Sequence, residues 1–246
     1  MATKLSLGDA QKIKSLVDRY RDKKQQQLLQ TFQKSVLVAI NESADLMQLT
    51  HTIRSRIKDP DHLRNKLLRK MAKCEEKGTE FDITPQNLFT AVTDLAGIRI
   101  LHLHTKQVKE IDGHLKSIIA EQGLGLLEGP FARTWDDEYR KLFESFGFET
   151  QPSERMYTSV HYVLTDKAQG SFTCEIQVRT LMEEVWGEVD HTMNYPTPSK
   201  SLPCREQILA LARATSTATR LVDAIFETMN DFGNKKPSKK KAQPEP

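Results

Sequence analysis

Glu175, Gln177 and Arg179 occupy alternate positions in Thr173-Cys174-Glu175-Ile176-Gln177-Val178-Arg179-Thr180. A strand sends alternate side chains to opposite faces, so these three share one face while Cys174, Ile176 and Val178 turn to a core. A carboxylate, an amide and a guanidinium in a row are costly to bury, and they suit a site that holds a metal, a polar base edge and a phosphate. Asp94, in Thr93-Asp94-Leu95-Ala96-Gly97-Ile98-Arg99, is the last polar residue before another strand, and Gly97 allows close backbone approach there. Strand ends are where open α/β sheets place ligands. An aspartate at such a point is either a cap or turn former, or one of two carboxylates sharing a divalent cation with Glu175. The second reading requires the two strands to be neighbours. Mg²⁺ suits it, because Mg²⁺ takes one or two protein carboxylates and completes its shell with substrate phosphates.

Three further constellations carry chemistry. Arg54, Arg56 and Lys58 alternate along a short strand, and Arg64, Lys66, Arg69 and Lys70 follow on a helix, with only Asp59 and Asp61 among them. This run is either a solvated charged face or a triphosphate cradle, in which arginine forks bind phosphate oxygens. Tyr157, Ser159 and His161 share a strand face, where the tyrosine either packs or offers a stacking platform for a base. No acid stands at a matching position to complete a Ser-His-Asp triad, so hydrolase chemistry is set aside. Glu184, Gly187, Asp190-His191 and Asn194 recur at helical spacing as a polar stripe, with Trp186 and Val189 on the apolar side. His102 and His104 share a strand face but lack a third ligand and read as structural.

The elements that must position these groups follow from periodicity. Residues 8 to 48 read as helix, broken at most once, either covering the sheet or offering a basic patch to an acidic partner. Strands are expected at 49–58, 98–103, 157–165 and 172–179, the last two as an antiparallel hairpin turning at Ala168-Gln169-Gly170. Helices are expected at 61–77, 84–93, 105–122, 136–146, 181–194 and 203–230. The stretch 123–152 is broken by Gly123, Gly125, Gly129 and Pro130 and gives no clear period. The fold class is therefore α/β, a mixed central sheet of about five strands flanked by helices. Its divisions are a helical extension (1–48), the main domain (49–200), a C-terminal helix (201–232) and a disordered Lys/Pro tail (233–246).

Composition narrows the function classes. Net charge is +3, but the tail from Lys235 carries five lysines and one glutamate, so the rest of the chain stands at −1. Charge balance alone does not make the body a nucleic-acid binder. No apolar run of membrane-spanning length occurs, and the N-terminus lacks an apolar targeting core. The three cysteines are far apart, which fits a reducing cytoplasm and no zinc site.

Taken in order, these pieces resemble the synthetase domain of the RelA/SpoT family, especially its small stand-alone members. The resemblance runs from about Arg54 to Tyr195. It rests on Arg56-x-Lys58 with Lys66 and Arg69, Asp94-Leu-Ala-Gly-Ile-Arg99, Tyr157-x-Ser159-x-His161, Glu175-Ile-Gln177-Val-Arg179-Thr180, and Trp186, Asp190-His191 and Asn194-Tyr195. It implies a nucleotidyltransferase-like fold and transfer of pyrophosphate from ATP to the 3′-hydroxyl of GTP or GDP, making (p)ppGpp. It also implies that Asp94 and Glu175 hold Mg²⁺ and that Glu175 helps deprotonate the acceptor. Arg56, Lys58, Lys66, Arg69 and Arg99 would bind the donor. Tyr157 would stack on the acceptor base, with Ser159, His161, Gln177, Arg179, His191 and Asn194 on the acceptor side. Small members often oligomerise, which implies a homo-oligomer or a neutralising partner protein. The chain departs from the family pattern mostly around the acceptor. Ser153, Met156 and Thr158 stand where Lys, Gly and Arg are usual, Asp190 stands for Glu, Pro196 for Lys, and His62 for a serine on the donor side. Arg155 offers a substitute cation. Two other readings stay open: a toxin-like relative that pyrophosphorylates the 3′ end of tRNA or makes an adenosine alarmone, and a catalytically inactive nucleotide-binding module.

Overall fold

The computed structural model of the protein describes residues 6–153, 155–166, 170–195 and 198–234. Expectations for Ala168-Gln169, Pro196 and the tail from 235 lie outside the described residues. Six strands form one mixed sheet in the order β1-β2-β6-β5-β3-β4. They are β1 (Thr52–Ile57), β2 (Ala96–His102), β3 (Leu124–Thr134), β4 (Glu149–Pro152), β5 (Ser159–Asp166) and β6 (Thr173–Thr180). Strand β2 runs parallel to β6, β3 runs parallel to β4, and the other pairs are antiparallel.

The N-terminal stretch is three helices, broken twice: α1 (Leu7–Arg21), α2 (Lys23–Glu42) and α3 (Ala44–Leu49). The breaks need no proline. Asp22 and Ser43 are extended, and their side chains accept from Gln25 N–H and Leu46 N–H, so each starts a new helix. Helix α4 (Pro60–Lys77) has Asp59 as its cap and proline in its first turn, and it ends at left-handed Gly78. The helix expected at 84–93 is only α5 (Leu88–Ala91). Thr84 and Asn87 bond each other's backbone N–H, which locks a turn where the Thr-Pro pair suggests a helix start.

The stretch 123–152, where the sequence offers only a helix at 136–146, is β3, then α7 (Asp137–Ser145) in place of that helix, then β4, which supplies the sixth strand. Its period is hidden by register shifts around Glu128 and by Gly129 at φ 85, where an added Cβ would lie 2.2 Å from the His161 carbonyl oxygen. Helices α6 (Gln107–Glu121), α8 (Leu181–Asn194) and α9 (Leu202–Asn234) complete the chain.

The two sheet faces differ. Ile98, Ile100, Val160, Tyr162, Leu164, Cys174, Ile176 and Val178 face one core, shared with Leu16, Tyr20, Leu29 and Ile40 of α1 and α2 and with Ile111 and Leu115 of α6. The N-terminal helices also bond the strands directly. Tyr20 donates to the Lys58 carbonyl (2.5 Å), and Gln33 donates to the carbonyls of Arg56 (2.6 Å) and Gly97 (3.0 Å). The opposite face carries the polar alternates, and α8, backed by α9, crosses only part of it.

Candidate active site

Strand register aligns the polar residues in rows. One row runs Arg54, Arg99, Gln177, His161, Phe131 across β1, β2, β6, β5 and β3, and the next runs Arg56, Gly97, Glu175, Val163. Gly97 has no side chain, so a gap opens between Arg56 and Glu175. The gap is an open cleft lined by Arg54, Arg56, Gly97, Arg99, Glu175 and Gln177.

Asp94 lies two residues before β2, and Glu175 is the third residue of the neighbouring parallel β6. Both carboxylates therefore stand where these strands begin, not at the carboxyl ends that the strand-end expectation favours. They lie within electrostatic reach, since the Asp94 charge acts to raise the Glu175 pKa. Lys58 Nζ is 2.9 Å from Asp94 Oδ2, and Lys66 Nζ is 2.7 Å from Oδ1. Burial alone would raise the Asp94 pKa, but Lys66 and Lys58 reverse this and hold it at about 2. Burial pushes the Lys58 ammonium below its ordinary value despite the carboxylate beside it.

Glu175 is held at both oxygens. His161 Nδ1 lies 3.0 Å from Oε1, and Gln177 donates to Oε2 at 2.9 Å. Burial raises its pKa, and the His161 contact together with Lys66 brings the net shift below the usual range. His161 in turn meets Ser159 Oγ through Nε2 at 2.6 Å and stacks flat on Phe131, with ring centres 5.5 Å apart. An acid thus does complete a Ser159–His161–Glu175 chain, contrary to the sequence reading, because cross-strand pairing sets Glu175 diagonally beside His161. Ser159 is only 2% exposed, so this chain orients the carboxylate and offers no open nucleophile.

Arg179 is buried against Glu184 of α8, whose carboxylate also takes Arg99 (3.1 Å) and Arg54 (3.5 Å). Gly187 allows this approach, since a Cβ there would stand 2.8 Å from an Arg179 nitrogen. The polar stripe of α8 divides. Glu184 and Gly187 meet the sheet, whereas Asn194 bonds Asp190 (2.8 Å) and accepts from Ser199 N–H. His191 stacks on Tyr195 (4.7 Å), and Arg69 covers the other ring contact of Tyr195 (5.2 Å). His62 meets Tyr195 edge-on. Tyr157 packs against Trp186, Ile208 and Ala212, with its ring 6.1 Å from His161. Met156, at the position where the family pattern has glycine, has φ 58, the left-handed conformation that glycine adopts without cost. Arg155 lines a separate cleft with Trp186, Asp190, Asn194 and Arg205. His102 is fully packed, its ring bonded to the His104 carbonyl (3.0 Å), and burial lowers its pKa to about 4.

Phe131 and Arg133 escaped the sequence reading, although both lie on the polar face and Arg133 covers the Phe131 ring at 5.0 Å. Their alternation in Phe131-Ala132-Arg133 is the signal that could have found them, but it follows directly on the irregular Gly129-Pro130.

The site fits a hard cation on two counts. Asp94 Oδ1 is buried without an aligned donor, even with Lys66 beside it, and a second carboxylate, Glu175, stands on the neighbouring strand opposite Gly97, near enough for the two charges to act on each other. No cluster of three metal-ligating side chains occurs among the described residues, so substrate oxygens would have to complete the shell.

The model of a region found in RelA/SpoT proteins matches residues 55–200. No curated protein sequence matches significantly. Among solved structures, the small alarmone synthetase 1 from Bacillus subtilis is similar at TM-score 0.57 and 15% identity, covering 85% of this chain and 100% of that one. A GTP pyrophosphokinase family protein from Streptococcus pneumoniae aligns at TM-score 0.56 and 16% identity, covering 92% of this chain and 97% of its own. The Bacillus enzyme bound to its product pppGpp aligns at TM-score 0.51 and 19% identity, over 85% of this chain and 92% of that one. These likenesses establish the fold.

Proposed function

The chain belongs to the RelA/SpoT family, and on that footing we propose that it transfers the β,γ-pyrophosphoryl group of ATP to the 3′-hydroxyl of GTP or GDP, making (p)ppGpp. The observation that carries this reading is the approach of Asp94 and Glu175 at the starts of adjacent parallel strands, beside an arginine-walled cleft. Phosphoryl transfer asks for positioning and charge neutralisation more than for a special nucleophile.

Asp94 and Glu175 are the residues that would hold Mg²⁺, which when bound neutralises charge on the triphosphate. Lys58 and Lys66, which rest on Asp94, turn to the donor's phosphates. Arg56, Arg69 and Arg99 flank them. The acceptor oxygen attacks the β-phosphorus, the bond from that phosphorus to the α-phosphate oxygen breaks, AMP leaves, and the hydroxyl proton passes to the Glu175 carboxylate. His161 and Gln177 fix the two oxygens of that base. Tyr157 stacks on the acceptor base, with Arg179, His191 and Asn194 shaping its surroundings.

A second reading concerns the acceptor alone. The approach loop differs from the family pattern: Met156 replaces glycine in a left-handed turn, and Thr158 is buried, donating its N–H to Glu183 at 3.0 Å. That remodelling favours a different acceptor, an adenine nucleotide or the 3′ end of tRNA. Incubation with ATP labelled at the β-phosphate, and separately with GTP, GDP, ATP or tRNA, tests both. Label is expected in (p)ppGpp, with Tyr157→Ala raising the acceptor KM and sparing ATP binding. Label on tRNA alone, or on adenosine alone, replaces the guanine reading, and no transfer to any acceptor leaves an inactive nucleotide-binding module.

A further inference from the structure

Ser153, Met156 and Thr158, the departures from the family pattern around Tyr157, are used together by the fold. Met156 turns left-handed at φ 58, a conformation that a Cβ resists, so the turn that presents Tyr157 needs anchors. Two backbone bonds supply them. Tyr157 N–H donates to Ser153 Oγ at 3.3 Å, and Thr158 N–H donates to Glu183 Oε2 at 3.0 Å. The Thr158 hydroxyl, where the family pattern has an arginine, turns inward and meets Thr134 Oγ1 at 2.9 Å.

Glu183 is placed for this contact by the start of α8. Thr180-Leu181-Met182-Glu183 has the spacing of a capping box, in which the threonine takes the N–H of the glutamate and the glutamate reaches back to the N–H of the threonine. The first half of the box is made, with Glu183 N–H donating to Thr180 Oγ1 at 3.2 Å. The carboxylate reaches across to the chain entering β5, and Glu183 is buried there, 4% exposed. Its target lies between two groups of the site. Tyr157 precedes Thr158. Ser159 follows it, meeting His161 and through it Glu175. Ser159 has support of its own, because it pairs with Arg133 in the sheet. Tyr157 lies before the strand and depends on the turn and on its packing against Trp186, Ile208 and Ala212. Loss of the Glu183 bond should therefore disturb the tyrosine more than the base.

We propose that Glu183 is a positioning residue for the acceptor: with Ser153 it clamps the backbone at Tyr157 and Thr158 and so presets the tyrosine ring as the platform for the acceptor base. This rests on the proposed transfer reaction, which makes Tyr157 that platform.

The test measures kcat, the KM for ATP and the KM for the nucleotide or tRNA that takes the label, together with amide hydrogen exchange at Thr158. Glu183→Met, about as long as glutamate but without an oxygen, should raise the acceptor KM at least roughly tenfold, leave kcat and the ATP KM within about threefold, and speed exchange at Thr158. Glu183→Gln, which keeps an oxygen for the Thr158 N–H, should hold the acceptor KM within about threefold of wild type. Ser153→Ala, at the less buried anchor, should raise the acceptor KM roughly threefold and decides the matter if Glu183→Met does not fold. Equal damage to kcat and both KM values, a glutamine variant as impaired as the methionine one, or an acceptor KM that neither Glu183→Met nor Ser153→Ala changes would overturn the proposal. A wild type that transfers to no acceptor would end the proposed reaction by itself. Thr158 exchange would then still judge the clamp: slow in wild type and Glu183→Gln but fast in Glu183→Met if the clamp exists, alike in all three if it does not.

Discussion

Asp94 meets two lysines before it meets any ligand. Its stability contribution and its chemical role are therefore entangled. Its folded pKa, about 2, lies below the ordinary 3.8, so its ion pairing stabilises the fold above about pH 4 and is lost as pH falls through about 2. The two sides of the pair disagree in sign. The carboxylate gains from the lysines, whereas burial works against the Lys58 charge, so the cluster stabilises less than the Asp94 shift alone would suggest. Asp94→Asn should still cost about 2 kcal/mol at neutral pH, because Lys58, with its side chain 8% exposed, loses its counter-ion. Urea unfolding of the variant should also show a flatter acid limb between about pH 4 and 2. An unchanged stability and acid limb would mean that the cluster is not paired in solution. Glu175 is held by a histidine and an amide, with no lysine on either oxygen, so Glu175→Gln separates chemistry from stability better than the Asp94 variant does.

Helix α8 is the element on which the two sides of the site meet. Its first turn buries Glu183 and Glu184, the latter gathering Arg54, Arg99 and Arg179, the former accepting from Thr158 N–H. Burial raises the Glu183 pKa to about 7, with Asp136 adding and the Thr158 bond and Arg179 subtracting. A raised carboxyl pKa gives stability that is complete below the ordinary 4.5 and declines as pH rises through about 7. Glu183→Gln keeps an acceptor for Thr158 and removes the titration. Wild-type stability should therefore fall by about 2 kcal/mol from pH 5 to pH 8 while the variant stays level; parallel profiles would contradict the assignment. The sequence made α8 and the β5–β6 hairpin legible because period 3.6 and period 2 are unbroken there. The joins in the N-terminal helices were hidden, since Asp22 and Ser43 act through side-chain caps without a proline or glycine to mark them. Strand β3 was hidden by bulges beside Gly129, and Phe131 and Arg133 were lost with it. The residue types of the site could be read one strand at a time. The contact of His161 with Glu175 could not, because it depends on how two strands register.

At the scale of the whole molecule, the sheet divides labour between its faces. One face carries the core, shared with α1, α2 and α6, and the other carries arginines, carboxylates and the stacked Phe131 and His161, with α8 and α9 along one side. No helix among the described residues is long and apolar enough to cross a membrane. This layout makes one claim central: β2 and β6, far apart in the chain, bring Asp94 and Glu175 to the same metal-bound triphosphate. The direct measurement is Mn²⁺ binding, followed by electron paramagnetic resonance, in the presence of a non-hydrolysable ATP analogue. Wild type should bind Mn²⁺ together with the analogue, and Asp94→Asn and Glu175→Gln should each weaken that binding at least roughly tenfold while remaining folded at the temperature used. Wild-type Mn²⁺ affinity in both folded variants would contradict the account.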